Sequence, residues 1–479
     1  MKILSNAIIS LLSQFGTRLL PFADAATHEL PLPRLLRLSM FQISVGMAVV
    51  LLTGTLNRVM VVELGLSAWI VAVMVGLPLV AAPFRVLLGH RSDHHRSPFG
   101  WRRVPYLWMG TLLQFGGFSI MPFALLVLSE GSGPFFVGPV AAAAAFLLVG
   151  AGLHTVQTAG LALATDLAAP KQRPRVVALL YVILLLGMVL TSSLFGWLLT
   201  DYSEGRLIQL LQGVAVTTIL INLFALWKQE SINQQRANAP PESRVRFMAA
   251  WRSFSQVGQV RRLLVVIGLG TAGFNMQDIL LEPYGGEILG MSVAATTTLT
   301  AVWAAGMLLA FGLSARLLSR GANPYRLAAV GAIIGVIAFI IVISAVPLDS
   351  VLVFRIGTGL IGVGGGMFAV STLLAVMGYA HQDQNGIAVG AWGAVQATAA
   401  GGAVALGGIL RDLTTVTTRS GWLGETLASP KTGYLVVYYL EIVLLLAVLI
   451  ALIPLLRTGG PSQAVTSSDK FGMADFPST

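Results

Sequence analysis

The chain has 479 residues, 56% of them hydrophobic and 10% charged, with a mean hydropathy of +0.81; a soluble domain carries roughly 25% charged residues, so these totals describe a polytopic membrane protein. The formal charge of +10 lies in short segments between apolar runs rather than on one accessible face, which argues against a nucleic-acid partner and matches the cationic loops of one membrane side. With no cysteine in the chain, disulfides, thiolate metal sites and thiol nucleophiles are excluded.

Taken in order, residues 1–20 do not read as a signal peptide, because Ser5, Asn6, Ser10, Ser13 and Gln14 interrupt the apolar residues. Ile3, Leu4, Ala7, Ile8, Leu11, Leu12, Phe15 and Leu19 recur at helical spacing, which predicts an amphipathic helix on the membrane or against a partner. After this N-terminal segment (residues 1–38), apolar runs at 39–62, 68–89, 104–129, 134–164, 175–200 and 207–227 predict six membrane helices. A polar linker at 228–262 separates them from six more at 263–281, 293–317, 326–347, 350–378, 386–410 and 433–456, and residues 457–479 form a Ser/Thr-containing tail. The expected fold is therefore all-α, twelve transmembrane helices in two pseudo-symmetric six-helix bundles spanning 39–227 and 263–456. Of the 30 Lys and Arg residues, all but Arg58, Arg206, Arg355, Arg411, Arg419 and Lys431 fall on the side of the N-terminus, which places both termini and the linker in the cytoplasm. An offset of 214 residues sets Gly150, Gly152, Leu153, Val156 and Thr158 opposite Gly364, Gly366, Met367, Val370 and Thr372. The fourth and tenth helices are then equivalent, as in parallel repeats.

Between the second and third helices stands Gly89-x-x-Ser92-Asp93-x-x-Arg96-Ser97-x-x-Gly100-x-Arg102-Arg103. The pattern resembles the corresponding loop of the major facilitator superfamily, which implies that Asp93 latches onto the start of the eleventh helix near Asn385 and Gly386. The bland alternative is a solvated anchoring loop with His90, His94 and His95 exposed. No metal site is expected, since no second ligand cluster supports the histidines. Glycines 357, 359, 362, 364, 365 and 366 in the tenth helix and 386, 390, 393, 401, 402, 407 and 408 in the eleventh permit close helix packing, or leave a smooth surface for a flat ligand or a partner helix.

Polar groups within spans are costly and therefore informative. His154, one turn from Gln157 and beside Gly150, Gly152 and Ala159, is a candidate axial ligand for the magnesium of a chlorophyll-type pigment; the simpler alternative is a bond to a backbone carbonyl or a neighbouring amide. Gln114, Gln396 and Asn275 are weaker candidates of the same kind. Arg58 and Glu63 end the first helix and Asp278, Glu282 and Glu287 end the seventh; either Arg58 meets Asp278 or Glu282 and closes the periplasmic side, or the two groups are separate interfacial charges. Glu441 lies within the apolar run of the twelfth helix, either as a proton-relay carboxyl or facing a partner. Phosphate-binding glycine loops, cysteine–histidine metal sets and nucleophile–base pairs are not found, so no enzyme is expected.

Longer blocks point to a narrower family. Phe41 to Met47 leading into Gly54 to Glu63, the block Arg91 to Ser129, Met276-Gln277-Asp278 through Gly285-Gly286, and Gly390 to Gln396 look like the PucC/LhaA family of purple phototrophic bacteria, over roughly residues 30–456. Leu20 to Ala25 and the second-to-third helix block look closer to the LhaA branch, associated with the light-harvesting 1 antenna around the reaction centre. The resemblance implies an assembly factor in the bacterial inner, intracytoplasmic photosynthetic membrane. It would bind antenna polypeptides within the lipid bilayer and hand them bacteriochlorophyll, with carotenoid a further cargo. The reaction centre, bacteriochlorophyll synthase and the protein-insertion machinery are the other implied partners. A second function class, a proton-coupled secondary transporter of a small solute using Glu441 or Asp278 and Glu282, stays open, as does a structural partner that never touches pigment.

Overall fold

The computed structural model describes residues 30–80, 101, 103–130, 134, 136–168, 172–230, 258–379, 385–419 and 429–457. The amphipathic helix expected in residues 1–20 lies outside them, as do Gly89, Asp93, Arg96, Gly100 and Arg102 of the loop, most of the linker and the tail.

Twelve helices and no strand are found among the described residues. They are α1 (Leu32–Glu63), α2 (Ala68–Val80), α3 (Val104–Glu130), α4 (Val137–Leu167), α5 (Arg173–Leu198), α6 (Glu204–Leu226), α7 (Gly258–Glu287), α8 (Val293–Ser319), α9 (Pro324–Ser344), α10 (Val351–Met377), α11 (Asn385–Arg419) and α12 (Lys431–Arg457). Eleven are long and apolar enough to cross a membrane, and α2 adds a shorter apolar stretch, Ala68–Pro78. The molecule is a multi-pass membrane protein. Local chemistry starts several helices: the side chains of Ser203, Ser292, Asn323 and Ser350 accept first-turn N–H groups of α6, α8, α9 and α10.

Within the halves, glycines let backbones touch. An added Cβ at Gly110 of α3 would lie 2.8 Å from the Gly152 carbonyl of α4, at Gly306 of α8 2.2 Å from that of Gly359, and at Gly362 of α10 2.1 Å from that of Trp303. Gly357, Gly364 and Gly366 are filled in the same way, so the tenth helix spends its glycines on packing. On α11 the faces of Gly393 and Gly402 stay open, with nothing within 4 Å. A buried hydroxyl–amide chain also ties α1, α6 and α3: Ser44 donates to Asn222 at 2.8 Å, and Asn222 to Thr111 at 2.9 Å.

Two helices depart from regular geometry. In α1, π-helical turns at Val50–Thr55 and Val59–Glu63 flank Leu56–Arg58. In α7, Met276–Ile279 is a 3-10 turn between Gly258–Asn275 and Leu281–Glu287. Both irregularities are buried in protein, where backbone groups freed from the helical ladder can find other partners. Helix α11 runs to Arg419, whereas its apolar run stops at 410, because Arg411 and Asp412 are paired inside the protein instead of ending the span.

The ends of α1, α3, α5 and α12 that carry Arg34, Arg103, Arg173 and Arg457 form a basic face; the opposite end is the far face. The halves α1–α6 and α7–α12 meet through α2 with α11 and α5 with α8. The described hydrogen bonds that cross between the halves, from Thr55, Asn57, Arg58, Trp69 and Ser192, lie in the far half of the molecule.

Candidate functional site

The helix α4 face comes first. Pro78 of α2 packs on Gly150, where an added Cβ would stand 2.2 Å from the proline ring, and His154 one turn on directs Nε2 to the Pro78 carbonyl at 3.0 Å. A carbonyl only accepts, so Nε2 carries the proton, and the imidazole is a clamp between α2 and α4. Gly152 is filled by the Gly110 carbonyl and by Gln114. The small residues expected to make room for a macrocycle are thus occupied, and the imidazole is held in place between two helices. Gln157 is buried beside them, while Gln114 is completely buried with neither amide atom hydrogen-bonded. Gln396 is half-buried on α11, one turn from the open face of Gly393. Asn275 donates to its own helix, to Thr271 O at 2.7 Å. His154 and Gln157 thus share α4 with Gln114 packed on it from α3, while Gln396 on α11 and Asn275 on α7 lie on other helices.

At the basic face, Arg103 is the described member of the loop motif. It is buried, its Nε bonded to Asp166 of α4 at 3.0 Å. The Glu230 carboxylate, just beyond α6, accepts the N–H groups of Arg103 and Val104 at 3.0 Å, where a helix N-terminus favours negative charge. Nearby a cavity of about 480 Å³ is lined by Trp101, Trp108, Trp227, Arg34 and Lys228. Three indoles beside Arg34, Lys228 and Glu230 suit a flat apolar ring with a polar edge.

The far face holds the denser polar constellation. Arg58 pairs with Glu63 on its own helix, rather than with Asp278 or Glu282, and reaches the other half through the Met291 carbonyl at 3.2 Å. It is Asn57 that meets Asp278, donating to its backbone oxygen at 3.2 Å. Glu282 accepts from Thr300 at 2.9 Å and stands 3.5 Å from where a Cβ on Gly54 would be. Glu441 faces inward: it is fully buried, and its Oε1 accepts the Gln277 N–H at 2.7 Å, inside the 3-10 turn of α7. Sequence reading missed a second cluster here. Glu287 accepts from Arg411 and from the Tyr434 hydroxyl, each at 2.6 Å; Arg411 also bonds Asp412 at 2.7 Å, and Asp412 accepts the Trp69 N–H of α2 at 2.8 Å. The available signal was Arg411-Asp412 inside a long glycine-rich helix. In the turn before α6, Tyr202 is pushed up to about 12 by burial, with Glu63 and then Glu204 adding to the shift, so it stays a neutral phenol beside the joint.

With this geometry in view, known proteins can be compared. Residues 55–460 match the family model described as "PUCC protein". "Protein PucC" of Rhodovulum sulfidophilum is 54% identical, covering 86% of this chain and 92% of that protein. "Protein PucC" of Cereibacter sphaeroides is 50% identical over 93% and 97% respectively. A more distant similarity, 27% over 77% of the chain and 85% of the relative, is to the "Bacteriochlorophyll synthase 44.5 kDa chain" of Rhodobacter capsulatus. Among solved structures, a bacterial homologue of the human lysosomal transporter Spinster superposes with a TM-score of 0.64 at 15% identity, covering 89% of this chain and 97% of that one. At that identity the likeness establishes the fold, that of a major facilitator transporter.

Proposed function

The chain belongs to the PUCC family, and from that premise we propose that it is an assembly factor for a bacterial photosynthetic antenna. It binds antenna polypeptides in the membrane and supplies them with bacteriochlorophyll as cargo, catalysing no reaction of its own. The light-harvesting 1 antenna around the reaction centre is the target favoured by the resemblance of the loop block. The basic face is cytoplasmic and the far face periplasmic, in the bacterial inner membrane. The observation that carries the proposal is family membership across 55–460, joined to a relative whose name places it with bacteriochlorophyll synthesis.

For the pigment itself, His154 has no room for a macrocycle beside it in this conformation, since it is buried and its glycine neighbours are filled. The cavity under Trp101, Trp108 and Trp227 fits a flat ring better, and we assign first contact with the tetrapyrrole to it. The test is a near-infrared absorption spectrum of the protein, purified in mild detergent from pigment-making membranes lacking antenna polypeptides. Bound bacteriochlorophyll should fall severalfold with Trp108→Ala plus Trp227→Ala and stay level with His154→Ala. Loss only with His154→Ala overturns the cavity assignment, and a colourless preparation overturns pigment carriage. Solute transport is the second function class, favoured by the buried carboxyls of α7 and α12; uptake of a solute driven by a proton gradient would establish it in place of assembly.

A further inference from the structure

Asp278 lies within electrostatic range of both Glu282 and Glu441, beside the 3-10 turn of α7 and, through Glu282 near Gly54, the first π-helical turn of α1. Glu441 uses one oxygen on the Gln277 N–H, while its Oε2 is buried without a partner. Glu282 accepts the Thr300 hydroxyl, and Asp278 accepts the Gln277 side-chain amide. Beside them the hydroxyls of Tyr284 and Tyr438, from two fully buried side chains, also have no partner. Of the two, Tyr438 lies within electrostatic range of both Glu441 and Glu282.

Charged and titratable groups face this cluster from several helices. On α12 the neighbours are Tyr434 and Tyr438. On α7 they are Asp278, Glu282, Tyr284 and Glu287. From α11 come Arg411 and Asp412, and from α1 Arg58 and Glu63; α8 presents threonines, and α9 presents Phe339 against Tyr438. Both cations are committed elsewhere, Arg58 to Glu63 and Arg411 to Glu287 and Asp412. No group able to hold a metal ion is found among the described residues. A buried carboxylate without a countercharge is strongly disfavoured, whereas the neutral acid needs only hydrogen bonds.

We propose that Glu282 and Glu441 form a proton-binding site that ties closure of the far face to proton uptake. Each holds a proton while the halves are joined at Gly54, Thr300 and Glu282. Release breaks the carboxyl O–H bond, leaves its electron pair on the carboxylate, and passes H⁺ to water at the far face near Glu287, whose side chain is 30% exposed. Tyr284, Tyr438 and Tyr434 line that way out, with ring centroids of Tyr284 5.3 Å from each of the other two. The new negative charges then repel each other and Asp278, and the joint loosens. The site is independent of what the protein carries, so its failure leaves the assembly proposal standing.

The closed state binds the proton more tightly, so its population falls as pH rises, by at most about tenfold per pH unit for each linked proton. The full chain has no cysteine, which makes paired spin labels clean. Gly205→Cys, where an added Cβ meets nothing within 4 Å, and Leu348→Cys, at a position 62% exposed, report across the far face from opposite halves. In lipid nanodiscs the label distance should lengthen with rising pH, and Glu282→Gln with Glu441→Gln should abolish the response. A response unchanged by the substitutions, absent from the parent protein, or governed by sodium at constant pH overturns the proposal. Infrared spectroscopy decides it on the parent chain even if a variant does not fold. The carbonyl stretch of a protonated carboxylic acid, sensitive to deuterium exchange, must be present at low pH and diminish as pH rises; a carboxylate-only spectrum throughout overturns the site.

Discussion

At the scale of single residues, the decisive property is how little room the helices leave each other. A methyl on Gly362 would sit 2.1 Å from the Trp303 carbonyl, whereas at Gly213 it would meet nothing within 4 Å. Gly362→Ala must therefore push α8 and α10 apart, and the yield of folded protein after size-exclusion chromatography should fall severalfold; Gly213→Ala should leave it unchanged. His154→Ala removes the clamp on Pro78 and leaves that carbonyl with one partner fewer. The expected loss is about 1–3 kcal/mol, read as a lower midpoint in a detergent thermal-unfolding scan. Residue identity announced that His154, Gln114 and Glu441 were costly in a membrane, and the structure places each in a protein interior. Direction was not legible. Whether Glu441 faced lipid or protein depended on the 3-10 turn at Met276–Ile279, whose Gln277 N–H is taken up by Glu441, a pairing no hydropathy pattern encodes.

At the scale of elements, the irregular turns of α1 and α7 and the charged end of α11 set the chemistry. Arg411 joins α11 to α7 and α12 through Glu287 and Tyr434, with its guanidinium 4.7 Å from the Tyr434 ring. Arg411→Ala leaves Asp412, whose side chain is 14% exposed, and the partly exposed Glu287 without their cation, and the expected cost is on the order of 3 kcal/mol. Arg206, paired with Asp201 in an exposed turn, is the control: its removal should cost about 0–1 kcal/mol. Thermal unfolding of the two variants side by side checks the difference. Helix number and order were legible because long apolar runs have few alternatives in a bilayer. The far end of α11 was not, because Arg411 and Asp412 break an apolar pattern that the fold continues.

At the scale of the whole molecule, two halves share one described set of crossing hydrogen bonds, gathered toward the far face. Widening that joint should leave each half intact while separating them. Gly408→Leu, at a position where even a Cβ would meet Ala72 at 2.3 Å, should lengthen the distance between labels at Gly205→Cys and Leu348→Cys and leave helical content by circular dichroism unchanged. Overall architecture was readable from hydropathy. Pairing between halves was not, since nothing in either half's own pattern names Asp412 as the partner of Trp69.

That last contact also bears on the order of synthesis. The first turn of α2 has its Trp69 N–H satisfied by a carboxylate 343 positions further along the chain. Until residue 412 is made, the Trp69 N–H at the exposed start of α2 has only solvent to bond, and the arrival of α11 replaces that solvent with a carboxylate. The first bundle is consequently an unfinished object until the eleventh helix inserts, and a chain cut before that point should be a ready substrate for membrane proteases.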